Sequence, residues 1–127
     1  VEVVSLKYTT LWIDADGVSH FKDVEVGFES VNFAPPAPPV DLSNFTPASQ
    51  LVFFKIPSGW FGDWHPAPKR QYFCCLAGEV ELSVSDGEVR VFRAGDVFLL
   101  EDIKGKGHTT RVLGNTDFLA AIVQIPN

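Results

Sequence analysis

The 127-residue chain has no methionine, only two cysteines and few basic side chains. It also lacks any long apolar run. A helix that crosses a bilayer needs roughly 20 consecutive apolar residues, whereas Phe118 to Val123 supplies six. No membrane span is expected. Lys and Arg total 10 against 16 Asp and Glu, a formal charge of −6, and no basic cluster interrupts the acidic balance. Nucleic acids and anionic membrane surfaces demand Lys and Arg to neutralise phosphates, so neither is an expected partner. Cys74 and Cys75 are neighbours, and neighbours on a strand point to opposite faces, which prevents an ordinary disulfide between them. Two free thiols suit a reducing compartment, and the cytoplasm is the expected location. Val1 to Thr10 lacks the basic and apolar regions of a signal peptide, and without Met at position 1 the numbering is expected to begin after a trimmed start. Asn44-Phe45-Thr46 fits a glycosylation triplet, but nothing else in the sequence suggests secretion.

What is present is bulk. Hydrophobic residues make up 46% and charged residues 20%, the balance of a folded globular chain and not of a disordered one. Of the aromatic residues, 11 are Phe, so a well-filled interior is expected. The length supports a single domain spanning residues 1–127.

Gly and Pro cut the chain into pieces of strand length, which leaves little room for helices. Strands are predicted at Val24–Phe33, Leu51–Ile56, Gln71–Leu76, Val80–Ser85, Glu88–Arg93, Asp96–Leu100, His108–Val112 and Phe118–Ile125. Val1 to Asp16, rich in β-branched and aromatic residues, also favours extended structure. Val80 to Ser85 alternates strictly between apolar and polar, as a half-buried strand requires. Asp86-Gly87 follows and predicts a two-residue hairpin turn, and Arg93 to Asp96 predicts another tight turn. Ala34 to Pro39 carries four prolines and cannot join a sheet ladder, so it is expected as a surface loop, or else as an extended arm along the body. Many short strands with regular turns indicate a β-sandwich or barrel.

Chemistry-bearing residues concentrate in two stretches. In the first, Gly59, His65, Gln71 and Gly78 recur at a spacing of five, five and six intervening residues. This stretch resembles the first motif of the cupin superfamily, in which a glycine, a His-x-His pair, a glutamate and a second glycine follow that rhythm. Ala67 stands at the second histidine position and Gln71 at the glutamate position. Gly95 to Val112 is similar to the second motif, with His108 at its histidine position if the Glu101–Gly107 loop carries two extra residues. The resemblance implies an all-β, cupin-like jelly-roll barrel, a small-molecule ligand inside it, and a homodimer. In metal-binding relatives, two first-motif histidines, the glutamate and the second-motif histidine hold a divalent ion. Here only His65, Gln71 and His108 remain to do so, a neutral and weak set for a transition metal.

The expected site therefore centres on His65, Gln71 and His108. His65 and His108 are candidates for general acid–base chemistry, since imidazole exchanges protons near neutral pH. Glu101 is the nearest carboxylate that could act as a base or replace the missing ligand, and Asp63 and Asp102 are weaker candidates. Trp64, Phe73, Gln71 and Arg111 are candidate substrate contacts, by stacking, amide hydrogen bonding and anion pairing. His20, in Asp16 to His20, is expected on a surface turn. The function expected is small-molecule binding with isomerase, epimerase or lyase chemistry. The alternatives are a metal-dependent dioxygenase or hydrolase, and a module that binds a metabolite without turning it over.

Overall fold

A computed structural model describes residues 2–127, and among them every regular element is a β-strand. The first four strands are β1 (Lys7–Ile13), β2 (Ser19–Glu25), β3 (Glu29–Val31) and β4 (Val40–Leu42). Next come β5 (Gln50–Ile56), β6 (Phe61–His65), β7 (Gln71–Ala77) and β8 (Glu79–Val84). The chain finishes with β9 (Val89–Arg93), β10 (Val97–Leu100), β11 (His108–Leu113) and β12 (Phe118–Gln124). No helix long and apolar enough to cross a membrane occurs among the described residues.

Two sheets build the body, one in the order β2-β1-β10-β7-β12-β5 and the other β6-β11-β8-β9. Neighbours along the chain repeatedly land in different sheets (β5 and β6, β10 and β11), which is the crossing pattern of a double-sheet jelly roll. The fold is all-β, a jelly roll of two packed sheets. Its core is the shared inner face. Val80, Leu82 and Val84 of β8 bury alternate positions while Glu79, Glu81 and Ser83 turn outward. Phe73 stacks on Phe98, whose ring also packs on Phe92, and Phe118 and Leu11 are almost wholly enclosed. Phe73, expected against a substrate, is thus a core side chain lying between Phe54 and Phe98.

Three local expectations change. The segment Val24–Phe33 is not one strand: it breaks at Val26 to Phe28, between β2 and β3. The Asp86-Gly87 hairpin has a three-residue loop, since Val84 and Glu88 still exchange a backbone hydrogen bond of 3.1 Å. Gly87 takes the left-handed conformation, φ +100°, that closes such a loop. The proline-rich segment forms the tip between β3 and β4, a two-stranded arm whose side chains are nearly all exposed. Cys74 and Cys75 are unpaired and face opposite sides of β7, as alternation demands. Burial pushes the Cys75 thiol up to about 12, helped by Asp96 and Cys74.

Candidate functional site

His65 closes β6 and His108 opens β11, and the antiparallel register of these strands sets the two residues directly opposite one another. Their ring centroids lie 5.0 Å apart. Gly107 makes this approach feasible. At φ +77° it occupies a conformation that side chains resist, and a Cβ there would stand 1.9 Å from the His65 carbonyl oxygen. The glycine before His108 therefore lets the β6 end lie against the start of β11.

Gly107 is held from the other side by a serine pair. Ser19, completely buried, donates from Oγ to the Gly107 carbonyl at 2.6 Å. The same Oγ accepts the Ser85 backbone N–H at 2.8 Å, while Ser85 Oγ accepts the Ser19 N–H at 2.7 Å. These bonds tie β2 in one sheet to the β8 end in the other.

His108 faces inward, as do Val84 and Leu82 on neighbouring β8. Its Nδ1 lies 2.5 Å from Oδ2 of Asp102, a carboxylate with no solvent exposure. Asp102 is itself fixed through its backbone, where its carbonyl accepts the Ala67 N–H at 2.9 Å. The carboxylate can only accept when ionised, so Nδ1 carries the proton and Nε2 of a neutral ring presents its lone pair. His65 is set the same way, with Nδ1 2.8 Å from the Asp63 backbone carbonyl. Two imidazoles with the same tautomer therefore sit side by side, one exposed and one 3% exposed. The second carboxylate oxygen, Oδ1 of Asp102, has no hydrogen-bond partner despite full burial. An uncompensated buried acceptor costs about 1–3 kcal/mol, so this residue is held there against its solvation preference.

The remaining expected residues divide. Gln71 is buried at the start of β7, and its Oε1 accepts from Nε2 of Gln124 at 3.2 Å. Glu101 lies away from the histidines. It binds Arg70, which donates from Nε at 3.0 Å and Nη2 at 2.7 Å, and it borders a surface hollow with Trp12 and Lys22. Arg111 is exposed, with its guanidinium 4.7 Å from the centre of the Phe61 ring and Nε 4.0 Å from Glu81. Trp64 takes the side of β6 opposite His65, where Lys106 Nζ sits 4.2 Å from its ring centre. His20, expected on a turn, is the second residue of β2 and contacts two carboxylates.

Asp102, a weaker candidate than Glu101 in the sequence, is the carboxylate that meets His108. Inward Phe98 and Leu100 continue to Asp102 by period two, whereas Leu99 and Glu101 follow the other phase. That signal was hidden because Val97 to Leu100 is apolar throughout, so no alternation marks which face is inside.

The donor set does not fit a catalytic divalent metal. Asp102 could orient His108 toward a metal on Nε2 as well as toward a proton, but the rest of the set fails. Ala67 has no donor atom, the Gln71 carbonyl is engaged by Gln124, and Glu101 is paired with Arg70. No group of three or more His, Cys, Asp or Glu side chains among the described residues is placed to hold an ion. Two imidazoles fall short of the three protein ligands that catalytic sites use.

The interior is filled by the aromatic core, and none of four surface cavities includes His65, Gln71 or His108. The largest of the four, about 490 Å³, lies between the outside of the six-stranded sheet and the arm, with Tyr8, Tyr72, Phe28, Leu42 and Asn44 in its walls.

No family model matches the chain, and no curated protein matches its sequence. Solved structures with a similar chain path include the cupin domain of Cnp3 from Schizosaccharomyces pombe, at 15% identity and a TM-score of 0.49 over 94% of this chain and 88% of that one. A putative ethanolamine utilization protein Q from Salmonella typhimurium is 21% identical, with a TM-score of 0.42 over 98% of each chain. A Neisseria meningitidis protein is 13% identical, with a TM-score of 0.43 over 79% of this chain and 83% of that one. The fold assignment itself rests on the strand order and the inner-face pattern.

Proposed function

We propose that this cupin-type protein binds a small molecule over His65 and His108 and moves protons on it without a metal, as an isomerase, epimerase or lyase does. The observation that carries the reading is the buried Asp102 carboxylate 2.5 Å from His108 Nδ1. Such a contact fixes the tautomer and steadies the ring when Nε2 takes a proton, which is what a general base needs. His65, adjacent and exposed, is the acid or relay that meets solvent. Asp102 is a positioning residue, since it acts through His108. Gln71 and Gln124 supply an amide pair along the same inner face.

The test is exchange of carbon-bound hydrogen for deuterium, read by proton NMR over a panel of keto acids, ketoses and β-hydroxy carbonyl compounds in D2O. Exchange by the wild type that drops at least about tenfold in His108→Ala, the low side of the usual acid–base contribution, supports the reading. Exchange that survives unchanged in both His65→Ala and His108→Ala overturns it.

A non-catalytic binding module is the second reading, and the 490 Å³ cavity, whose walls include neither His65 nor His108, favours it. A ligand whose NMR contacts fall on Tyr72 and Phe28, with no exchange chemistry, would select that alternative. The protein is also proposed to pair with a second copy of itself. In support, edge strand β5 leaves Leu51 and Phe53 more than half exposed, and Leu76 of β7, two strands away in the same sheet, is also more than half exposed. Sedimentation at the monomer mass, unaltered by Phe53→Glu, would reject pairing. The two free thiols support a reducing compartment.

A further inference from the structure

Outside this site, one side chain makes contacts that fit only one of its charge states. His20 Nε2 lies 2.7 Å from Oδ2 of Asp14, and Nδ1 lies 2.8 Å from Oδ2 of Asp86. Both neighbours are carboxylates that accept and cannot donate while ionised. A neutral imidazole would turn one lone pair onto a carboxylate oxygen at hydrogen-bond distance. The imidazolium satisfies both contacts at once.

The two carboxylates belong to turns on different sheets. Asp14 uses Oδ1 to accept the N–H groups of Asp16 at 2.9 Å and Val18 at 3.0 Å, which shapes the β1–β2 turn. Asp86 uses Oδ1 to accept the Glu88 N–H at 2.8 Å, which shapes the β8–β9 turn. Each acid thus spends one oxygen on its own turn and the other on His20. Trp12 of β1 stacks on the ring at 4.8 Å and fixes its plane. Two charged groups of the β8–β9 hairpin are otherwise engaged: Glu88 is held by Arg90 at 2.7 Å, and Arg90 is also held by Asp23.

The residues next in sequence continue the connection. Ser19 precedes His20 and Ser85 precedes Asp86, and this serine pair holds the Gly107 carbonyl beside His108. The Asp86 N–H also donates to the Ser19 carbonyl at 3.2 Å. A change in the distance between the two turns therefore pulls on Ser19, then on Gly107.

We propose that His20 is a proton-controlled latch joining the β1–β2 and β8–β9 turns, and that its protonation state is transmitted through Ser19 and Gly107 to the placement of His108. The latch stands on its own geometry; only its consequence for chemistry rests on the proton-transfer role of His108. In support, the Asp14 carboxylate first, and then Asp86, holds the His20 pKa above the ordinary imidazole value, while Asp14 is lowered in return.

The experiment is an NMR pH titration of the full chain, following the ring carbons and nitrogens of all three histidines and the Gly107 amide. His20 in the wild type should titrate above about 6.5, and Asp14→Asn and Asp86→Asn should each move its midpoint back toward that value. Gly107 and His108 should show an inflection at the His20 midpoint, and His20→Gln, which keeps hydrogen-bonding groups but cannot titrate, should abolish it. A wild-type His20 midpoint at the ordinary value overturns the latch. A raised midpoint with no response at Gly107 or His108 overturns the transmission. Neither readout depends on turnover, so both outcomes are separable from failure of the exchange assay.

Discussion

Two histidines of this molecule each hold a carboxylate at hydrogen-bond distance, yet their settings are opposite. His108 has one buried partner, Asp102, on one nitrogen, and its other nitrogen has no protein partner among the described residues. His20 has two partners, one on each nitrogen, and its side chain keeps 26% of its exposure. A ring held on one side is steered and remains available, which suits proton exchange with a ligand. A ring held on both sides is saturated, and protonation there serves cohesion. In the proposed reading, the number of acceptors around an imidazole, more than its distance to any one of them, decides whether the ring stays open to a ligand.

The largest effect should come from the glycine that brings His108 to His65. Gly107→Ala combines a disfavoured φ with a Cβ 1.9 Å from backbone, so it should lower stability by more than about 4 kcal/mol. Urea unfolding reads this directly; a loss below about 1 kcal/mol would mean the strand ends can part cheaply. Next, Asp102→Ala leaves a buried His108 without its partner and should cost about 3 kcal/mol. Asp102→Asn keeps an acceptor and nearly the same volume, so it should cost less in the same unfolding experiment and still alter the nitrogen shifts of His108. Equal losses for the two variants would mean that the carboxylate charge beside His108, and not side-chain volume or a neutral acceptor, is what Asp102 provides.

The smallest effect is the most diagnostic for His20. Its pKa is raised in the fold, so its stabilising contribution is complete below the unfolded value of about 6.5 and is lost as the pH climbs through the higher folded value. The stability difference between wild type and His20→Gln should therefore shrink on going from acid to alkaline pH. Added salt should reduce it too, because the ring and both acids are partly exposed. A difference independent of pH would show that the Trp12 stacking, and not charge, is what the residue contributes.

The fold was legible in the chain because its cause is local. Alternation in Val80 to Ser85, the Asp86-Gly87 hairpin and the spacing of Gly and Pro each limit what a short segment can do. Spacing also brought out His65 and His108, which the barrel places side by side. Their carboxylate was not legible, because choosing Asp102 over Glu101 requires the strand phase, and an all-apolar β10 carries none. β6 was missed for a related reason: Phe61-Gly-Asp-Trp-His has no alternation and is ordered by pairing with β11.

The sequence by itself determined an all-β chain of short strands, two unpaired thiols and a charge that disfavours polyanions. Tertiary structure alone decided which acid meets which histidine. Asp14 and His20 are six residues apart, as are Asp102 and His108, while Asp86 reaches His20 across 66 residues. Nothing in those spacings says which ring becomes saturated and which stays open. Sheet packing makes that choice, because it sets two turns together at His20 and seals a single carboxylate behind His108.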